Sequence, residues 1–481
     1  MKRIAFCFDG TWNKIDSENP TNVARVAQSI SRIDPDGIAQ LIYYDEGVGT
    51  TATERWSGGM FGQGLREKII HAYHQLVLNY EPGDEIYVFG FSRGAFSARS
   101  FVGLLRNCGI MSRRSLQNIR EAVAMYMSRT EADRPNSERA RLFRLQHCPD
   151  LCLPGDSKWR ILNDPSLAKR PMTELRVHYL GVWDTVGALG VPRHIKPLRW
   201  INRRYRFHDT NLSSFVLRAR HAISADERRK SFEPGIWTNL DDLNEVHEDK
   251  QPYEQLIFPG VHSAVGGGGP VRGLSDAALE WIFEAARDQG LQFDTDPQSP
   301  IFQLKPNHRA ELFNETGKLK WTFKDWLVGA GLKDRTFPRF DRGALHGSLV
   351  RRYAESAENL PERRTYRPKA LEALWPALSQ MASRLAADIA LAEESMAARG
   401  DVRALRAPSK VRPYIIQPGD TLASIARKEM GSEADKGILA LHNRTVGLLF
   451  EDERLYAWAT LEIPVYDEPQ AGRPADRSSE S

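Results

Sequence analysis

One stretch decides the fold, and it reads Ile86-Tyr87-Val88-Phe89-Gly90-Phe91-Ser92-Arg93-Gly94-Ala95. Its apolar first half predicts a buried strand, and the residues from Ala95 onward begin a helical pattern. The Gly-x-Ser-x-Gly motif between them is typical of a nucleophile elbow, in which glycines let a strand and a helix approach closely. The alternative is an ordinary strand-to-helix turn with incidental glycines. We expect Ser92 to be a nucleophile at the N-terminus of a helix, where partial positive charge favours an oxyanion.

Apolar runs alternate with helical patterns on both sides of this stretch. Strands are predicted at residues 4–8, 41–44, 85–90, 176–183 and 256–261. Helices are predicted at residues 22–33, 65–80, 93–105 and 275–288. This alternation predicts an α/β fold with a mostly parallel sheet covered on both faces. Helical insertions, the longest at 105–176, are expected to border a site at the carboxyl ends of the strands.

The composition restricts the class of protein. The 481 residues are 41% hydrophobic and 27% charged, and the formal net charge is only +4. A nucleic-acid binder needs a dense basic face, so no nucleic-acid partner is expected. Four cysteines are too few for a disulfide framework. The N-terminus lacks the apolar region of a signal peptide and no run of about 18 apolar residues occurs, so we expect a protein made in the cytoplasm without a membrane span.

One short segment carries residue types that bind metals. His147, Cys148 and Cys152 lie close together in the sequence. No second Cys/His pair stands at the spacing of a zinc site. We therefore expect no metal and no cofactor.

A serine hydroxyl becomes a nucleophile only when a base takes its proton. His262 follows the predicted strand 256–261 and precedes the glycine run 266–269, where a base on a loop would stand. His221 and His208 are the alternative bases.

The acid that orients the imidazole is expected at a strand end as well. Asp184 directly follows the predicted strand 176–183, and a glycine-containing loop comes after it. The order Ser92, Asp184, His262 is the order of α/β-hydrolases. Asp226 keeps the same order and is the alternative acid.

The oxyanion of a serine hydrolase needs two backbone donors. One is expected to be the N–H of Arg93, the residue after the nucleophile, and the other the N–H of Gly10 or Thr11, in the loop after the first strand. Asp9 in the same segment suggests a rival chemistry, because aspartyl-phosphate enzymes use an Asp after the first strand. Thr11 stands where such enzymes carry a second Asp, which favours the hydrolase.

These segments together resemble the type VI secretion phospholipase effectors with a Gly-x-Ser-x-Gly elbow, and their uncharacterised bacterial and fungal relatives. The resemblance covers about residues 1–375. It rests on Phe8-Asp9-Gly10-Thr11-Trp12-Asn13, Pro20-Thr21-Asn22-Val23, Gly90-Phe91-Ser92-Arg93-Gly94-Ala95, Gly181-Val182-Trp183-Asp184-Thr185-Val186-Gly187, His221-Ala222-Ile223-Ser224 with Asp226-Glu227-Arg228, and Pro259-Gly260-Val261-His262-Ser263 with Gly266-Gly267-Gly268.

The resemblance implies a Ser-Asp-His hydrolase, with phospholipase activity in some members. The serine, acid and base fall on Ser92, Asp184 and His262. The implied substrate is a phospholipid or another ester, and the implied route is secretion by a type VI system into a target cell.

A second resemblance concerns the C-terminus. The segment Tyr414-Ile415-Ile416-Gln417-Pro418-Gly419-Asp420-Thr421-Leu422 predicts a strand, a turn and a helix start, and a second helix and a closing strand would complete a β-α-α-β unit. It looks like a LysM domain over residues 412–466. Such a domain is expected to bind peptidoglycan or a secretion-spike protein.

The predicted organisation is therefore an α/β-hydrolase-like catalytic domain over residues 1–375, a helical segment and linker over 376–411, the LysM-like domain over 412–466 and a disordered tail over 467–481. The arginine-rich residues 193–206 suggest peripheral contact with anionic lipid heads, although an ordinary exposed polar face explains them equally.

Overall fold

The computed structural model describes residues 1–11, 15–47, 58–128, 130–187, 211–247, 251–294, 304–313, 331–398, 408–417, 419–443 and 460–466. The arginine-rich segment 193–206, His208 and the predicted tail 467–481 lie outside them. The chain forms two compact units, Met1–Ala382 and Ser383–Ser481, here called the N-terminal and C-terminal units.

A six-stranded parallel sheet forms the centre of the N-terminal unit, as the alternating pattern predicted. Its strands are β1 (Arg3–Thr11), β2 (Gln40–Gly47), β3 (Glu85–Phe91), β6 (Val177–Trp183), β7 (Val216–Ser224) and β8 (Tyr253–Phe258). Their order is β2-β1-β3-β6-β7-β8, so β3 and β6 are central. Every neighbouring pair is parallel. A separate two-residue parallel pair joins β4 (Leu151–Cys152) to β5 (Thr173–Glu174) within the helical insertion.

Helices cover both faces of this sheet. Those of the N-terminal unit are α1 (Asn22–Ser29), α2 (Gly58–Asn79), α3 (Arg93–Cys108), α4 (Ile119–Met127), α5 (Glu138–His147), α6 (Asp156–Asn163), α7 (Leu240–Asn244), α8 (His262–Gly266), α9 (Gly273–Asp288) and α10 (Gly347–Ala354). Helix α11 (Trp375–Ala398) spans the boundary between the units. No helix in the described ranges is both long and apolar enough to cross a bilayer.

Alternation along the strands assigns their side chains to the two faces. In β1, Ile4, Phe6 and Phe8 pack in one core cluster with the buried residues of α2 and α3. In β6, the hydroxyl of Tyr179 and the indole N–H of Trp183 instead donate to backbone carbonyls of α9 on the opposite face. The sheet is thus buried on both sides, which explains why its central strands are nearly continuous apolar runs.

Helix α3 is buried around almost its whole circumference, because the insertion that contains α4, α5 and α6 covers its outer face. Thirteen of its sixteen residues are buried. A helix in this position is held rigidly, and so is any residue at its N-terminus.

The sequence interpretation differs from the structure in some elements. Strand β7 was not predicted, because Arg218 and Arg220 interrupt its apolar pattern. The structure neutralises Arg220 with Glu254 (Nε to Oε2, 2.6 Å) and places its guanidinium over the ring of Trp281. His262 was expected on a loop, but it is the first residue of the short helix α8.

The C-terminal unit has a small core of its own. It contains β9 (Lys410–Ile415), α12 (Leu422–Met430), α13 (Lys436–His442) and β10 (Thr460–Val465), with β9 and β10 antiparallel. This is the β-α-α-β order that the sequence predicted. Thr421 caps α12 by accepting the N–H of Ser424, whose hydroxyl accepts the N–H of Thr421 in turn. The core includes Ile416, Leu422, Ile425, Leu439, Leu461 and Ile463.

Candidate active site

Ser92 lies at a sharp turn between β3 and α3. Its φ of +59° falls in the left-handed region, where side chains other than glycine are strained. The flanking glycines are required by contact rather than by φ. A Cβ on Gly90 would lie 2.7 Å from the Cα of Ala95, and one on Gly94 would lie 2.2 Å from the carbonyl oxygen of Phe8. The local structure is therefore the elbow that the motif predicted.

The close approach of Gly94 to Phe8 also brings the end of β1 against the first turn of α3. The predicted oxyanion loop is therefore adjacent to the elbow. The N–H of Gly10 donates to Oδ1 of Asp9 (2.6 Å), however, so it is engaged by a carboxylate. Thr11 pairs with Gly47 at the end of β1, after an irregularity in the register. Arg93 is the first residue of α3.

Asp9, the residue that suggested the rival phosphatase chemistry, is buried and accepts hydrogen bonds from neighbouring groups. Besides the N–H of Gly10, it accepts the hydroxyls of Thr21 (2.5 Å) and Tyr44 (2.6 Å) on Oδ2. A carboxylate held in this way organises the loop after β1. These contacts favour a structural role over that of a phosphoryl acceptor.

Asp184 and His262 form a close pair at the carboxyl ends of β6 and β8. The Nδ1–H of His262 donates to Oδ2 of Asp184 over 2.6 Å, and both side chains are buried. Asp184 has a φ of +35°, and among the described residues the only other non-glycine residues with positive φ are Ser92 and Arg363. Two of the three strained residues are thus predicted site residues, in line with the tendency of strain to cluster at functional sites.

The Asp184 carboxylate is fully buried and is bound by more than the imidazole. Arg335 donates to both of its oxygens, from Nη1 to Oδ1 (2.7 Å) and from Nη2 to Oδ2 (3.0 Å). The backbone N–H of Ser224 donates to Oδ1 as well (3.0 Å). Burial alone would raise the pKa of Asp184, but the charge of Arg335 and the hydrogen bonds from His262 and Arg335 outweigh it and lower the pKa well below its ordinary value. The surroundings of Asp184 thus favour its ionised form.

Two aromatic rings enclose the imidazole of His262. The ring of Phe91, the residue before Ser92, lies 4.6 Å from it between centroids, and the ring of Phe232 meets it edge-on at 4.8 Å. Gly266 fits against Phe91, since a Cβ there would lie 2.0 Å from that ring. The first glycine of the run after His262 thus allows Phe91 to pack beside the elbow.

A second carboxylate holds the backbone of this helix. Glu227 accepts the N–H of His262 (3.3 Å) and forms a bidentate ion pair with Arg229. The Arg229 guanidinium lies over the ring of Phe232, 3.8 Å from its centroid. The segment after β7 therefore supports both the helix that carries His262 and the Phe232 ring that contacts its imidazole.

The alternative acid and base lie elsewhere. Asp226 accepts the N–H of Gly260 and the hydroxyl of Tyr366, both at 2.7 Å, and so fixes the loop before His262 rather than its ring. His221 is fully buried in β7, and its Nε2 accepts the N–H of Thr185 (3.2 Å). Burial lowers the pKa of His221 to about 3, so it is a neutral structural histidine.

The segment from His147 to Cys152, which carries residue types that bind metals, makes contacts within the protein instead. The thiol of Cys148 donates to the carbonyl of Cys108 (3.2 Å), and burial raises its pKa to about 12. A metal ligand has to be a thiolate, which this environment disfavours. Across the part of the chain that the structure describes, no three His, Cys, Asp or Glu residues are grouped as a metal site.

Three residues of this site were missed by sequence reasoning. Glu227 stands beside the Asp226 that was singled out, so the motif signal was present but was assigned to its neighbour. Arg335 carries no local signal, because the stretch from 300 to 368 shows no regular pattern and Arg335 meets Asp184 only through the fold. Phe232 likewise meets His262 only through the fold.

Comparison with known proteins connects this geometry to a family. The model of the family described as "T6SS, Phospholipase effector Tle1-like, catalytic domain" matches residues 2–285. An uncharacterized protein of Saccharomyces cerevisiae is 28% identical over 254 residues, which are 50% of this chain and 33% of the yeast protein.

Two solved structures are also similar to the chain. One is a crystal structure of an uncharacterized protein from Pseudomonas aeruginosa, 19% identical with a TM-score of 0.33, where the match covers 62% of this chain and 48% of that one. The other is the Tle1 effector bound to the VgrG spike from the type 6 secretion system, 17% identical with a TM-score of 0.30, covering 56% and 52%. The chain thus spans a third of the length of the yeast relative and about half that of the solved chains.

Proposed function

We propose, because the chain belongs to the family of Tle1-like phospholipase effectors of type VI secretion systems through residues 2–285, that it hydrolyses an ester bond of a phospholipid. In this proposal Ser92 is the nucleophile, His262 is the base and Asp184 is the acid that orients the base. The observation that carries this proposal is the 2.6 Å hydrogen bond between Asp184 and His262, whose imidazole contacts the ring of Phe91, the residue before Ser92.

The tautomer of His262 follows from this bond. Since Nδ1 carries the proton donated to Asp184, Nε2 is the unprotonated nitrogen and can accept the hydroxyl proton of Ser92. The serine oxygen then attacks the ester carbonyl, and Asp184 stabilises the imidazolium that forms. When the tetrahedral intermediate collapses, the imidazolium gives its proton to the leaving alcohol. A water molecule, deprotonated by the same imidazole, hydrolyses the acyl-enzyme and restores Ser92.

The oxyanion would be stabilised at the N-terminus of α3. The N–H of Arg93 is the first proposed donor, because it directly follows the nucleophile. The bond from Gly10 to Asp9 favours Thr11 as the second donor, although Gly10 can also serve if its N–H turns away from Asp9 when substrate binds. Catalytic hydrogen bonds of this kind often form only in the complex with substrate.

Substitution of the nucleophile tests the chemistry. We expect Ser92→Ala to abolish release of fatty acid from phospholipid vesicles and hydrolysis of a soluble short-chain ester, since loss of a triad serine costs about a millionfold in kcat. Ser100→Ala is the matched control, because Ser100 is buried in the same helix two turns from the elbow. A folded Ser92→Ala protein with near wild-type turnover would end the serine-hydrolase proposal.

For the C-terminal unit we propose a docking role. Its β-α-α-β order and separate small core support the LysM-like interpretation over residues 412–466. The proposed partners are peptidoglycan or a spike protein of the secretion machine, with delivery by a type VI system into a target cell. If Ser92 proves inactive, this docking role is the alternative function, that of a degenerate hydrolase that binds the cell wall or the spike.

A further inference from the structure

Arg335 lies outside the residues that match the family model, yet it makes the most extensive contact with Asp184. Its side chain is buried. Nη1 and Nη2 each donate to one oxygen of the carboxylate, at 2.7 and 3.0 Å. Nη1 also donates to the hydroxyl (2.7 Å) and carbonyl (2.8 Å) of Ser224, and Nη2 to the carbonyl of Phe232 (2.6 Å). The guanidinium thus connects the Asp184 carboxylate, Ser224 at the end of β7, and the backbone of Phe232, whose ring contacts His262.

We propose that Arg335 is a positioning residue, which fixes the Asp184 carboxylate against His262 and sets the charge that the imidazole meets. This inference rests on the proposed triad. A planar guanidinium matches a carboxylate at two points, so it fixes the rotation of the carboxylate as well as its place. Because Oδ2 accepts from both Arg335 and His262, the orientation of one bond determines that of the other.

The charges around the pair make the contribution of Arg335 distinct. Asp184 faces Arg335 and His262, and His221 of β7 is neutral because burial lowers its pKa to about 3. Glu227, which holds the backbone of His262, is paired with Arg229. Because the Glu227–Arg229 pair has no net charge, the charge of Asp184 is balanced by that of Arg335. The imidazolium therefore forms beside a carboxylate whose charge is already compensated.

The charge of Arg335 should also affect the pH dependence of catalysis. A compensated carboxylate raises the basicity of its imidazole less than an uncompensated one does. Arg335 therefore weakens the electrostatic stabilisation that Asp184 gives to the imidazolium. Removal of the positive charge should move the acid limb of kcat/KM to higher pH by about one unit or more.

The test compares Arg335→Gln and Arg335→Lys by pH profiles of kcat/KM on a soluble short-chain ester. Arg335→Gln should lower kcat/KM at pH 7 by about ten- to a hundredfold, by analogy with the loss of residues that orient the ligands of metal sites. It should also shift the acid limb to higher pH. Arg335→Lys retains the positive charge but loses the planar guanidinium that contacts both carboxylate oxygens. It should therefore keep the acid limb at the wild-type pH and lower mainly kcat.

The matched control is Arg352→Gln. Arg352 is also buried, pairs with Glu362 (2.6 Å) and donates to two backbone carbonyls, and none of these partners is Asp184. It should leave the acid limb in place. If Arg335→Gln does not fold, the lysine variant decides, because a shifted limb there would overturn the role of charge.

The inference is overturned if a folded Arg335→Gln protein retains the wild-type limb, or if Arg352→Gln shifts the limb equally. Failure of the proposed function has a different signature. In that case the wild-type protein would hydrolyse no ester, or Ser92→Ala would remain active, whatever the Arg335 variants do.

Discussion

The rings of Phe91 and His262 are in tilted contact, with their centroids 4.6 Å apart, so the residue next to the proposed nucleophile touches the proposed base. Phe91 ends β3 and His262 begins α8. The contact therefore links the elbow to the helix that carries the base, across 171 positions of sequence.

Loss of this ring should impair catalysis more than stability. We expect Phe91→Leu to lower kcat/KM by about tenfold, because small displacements of a catalytic group have large effects on rate. Phe89→Leu is the control, since Phe89 is buried two positions earlier on the same strand and contacts Tyr179 instead. Both changes should destabilise the protein by about 1 kcal/mol. Equal activity of the two variants in ester assays would mean that the contact between Phe91 and His262 has no part in positioning His262.

The two candidate acids can be distinguished by amide substitution. Asp184→Asn should lower kcat by about ten-thousandfold, since an amide no longer holds the imidazole in the productive tautomer. Asp226→Asn should keep most of the activity, because Asp226 binds Gly260 and Tyr366 rather than the imidazole. Steady-state kinetics at pH 7 with both purified variants checks this. The opposite ranking would make Asp226 the acid.

Buried neutral histidines should make the protein less stable in acid. Burial lowers the pKa of His346 to about 3, whereas an unfolded histidine titrates near 6.5. Between these values the unfolded chain binds a proton that the folded protein does not, so the free energy of unfolding falls as pH falls below about 6.5, by up to about 1.4 kcal/mol per pH unit.

His346→Asn tests this relation and keeps a helix cap. His346 accepts the N–H of Ser348 at the start of α10, and asparagine is a good residue for that position. Urea unfolding at pH 7 and pH 5 should show a loss of stability that is smaller by about 2 kcal/mol in the variant. An equal loss in both proteins would contradict the assignment of His346 as neutral in the folded state.

Removal of the β-α-α-β part of the C-terminal unit should leave the chemistry intact. A chain that ends at Arg399 retains α11 and every proposed catalytic residue, so it should hydrolyse a soluble short-chain ester at about the wild-type rate. It should lose binding to purified peptidoglycan in a pull-down, because the proposed binding module is gone. Turnover of a soluble ester should not change, since a tether raises local access to substrate without changing the chemistry. Lost turnover in a folded truncated protein would place the C-terminal residues in the active site. Retained turnover with no peptidoglycan binding by the full chain would favour docking on a secretion-spike protein.

The sequence alone determined the features that depend on neighbours along the chain. The elbow at Ser92 could be predicted because a strand, a tight turn and a helix are all local patterns. Asp184 and His262 could be selected because each follows a predicted strand, and parallel strands end at one edge of a sheet. The order of elements in the C-terminal unit was predictable for the same reason.

Only the tertiary structure decided which of these residues meet. It pairs His262 with Asp184 and not with Asp226, engages the N–H of Gly10 with Asp9, and brings Arg335 to a carboxylate 151 positions away. Strand β7 was missed because its arginines find their counter-charges on other elements. Contacts of this kind depend on how the whole sheet and its covering helices close, and periodicity reports only the side of an element on which a residue lies. A buried ion pair such as Asp184–Arg335 leaves no sequence pattern, because its two halves are joined by the fold alone.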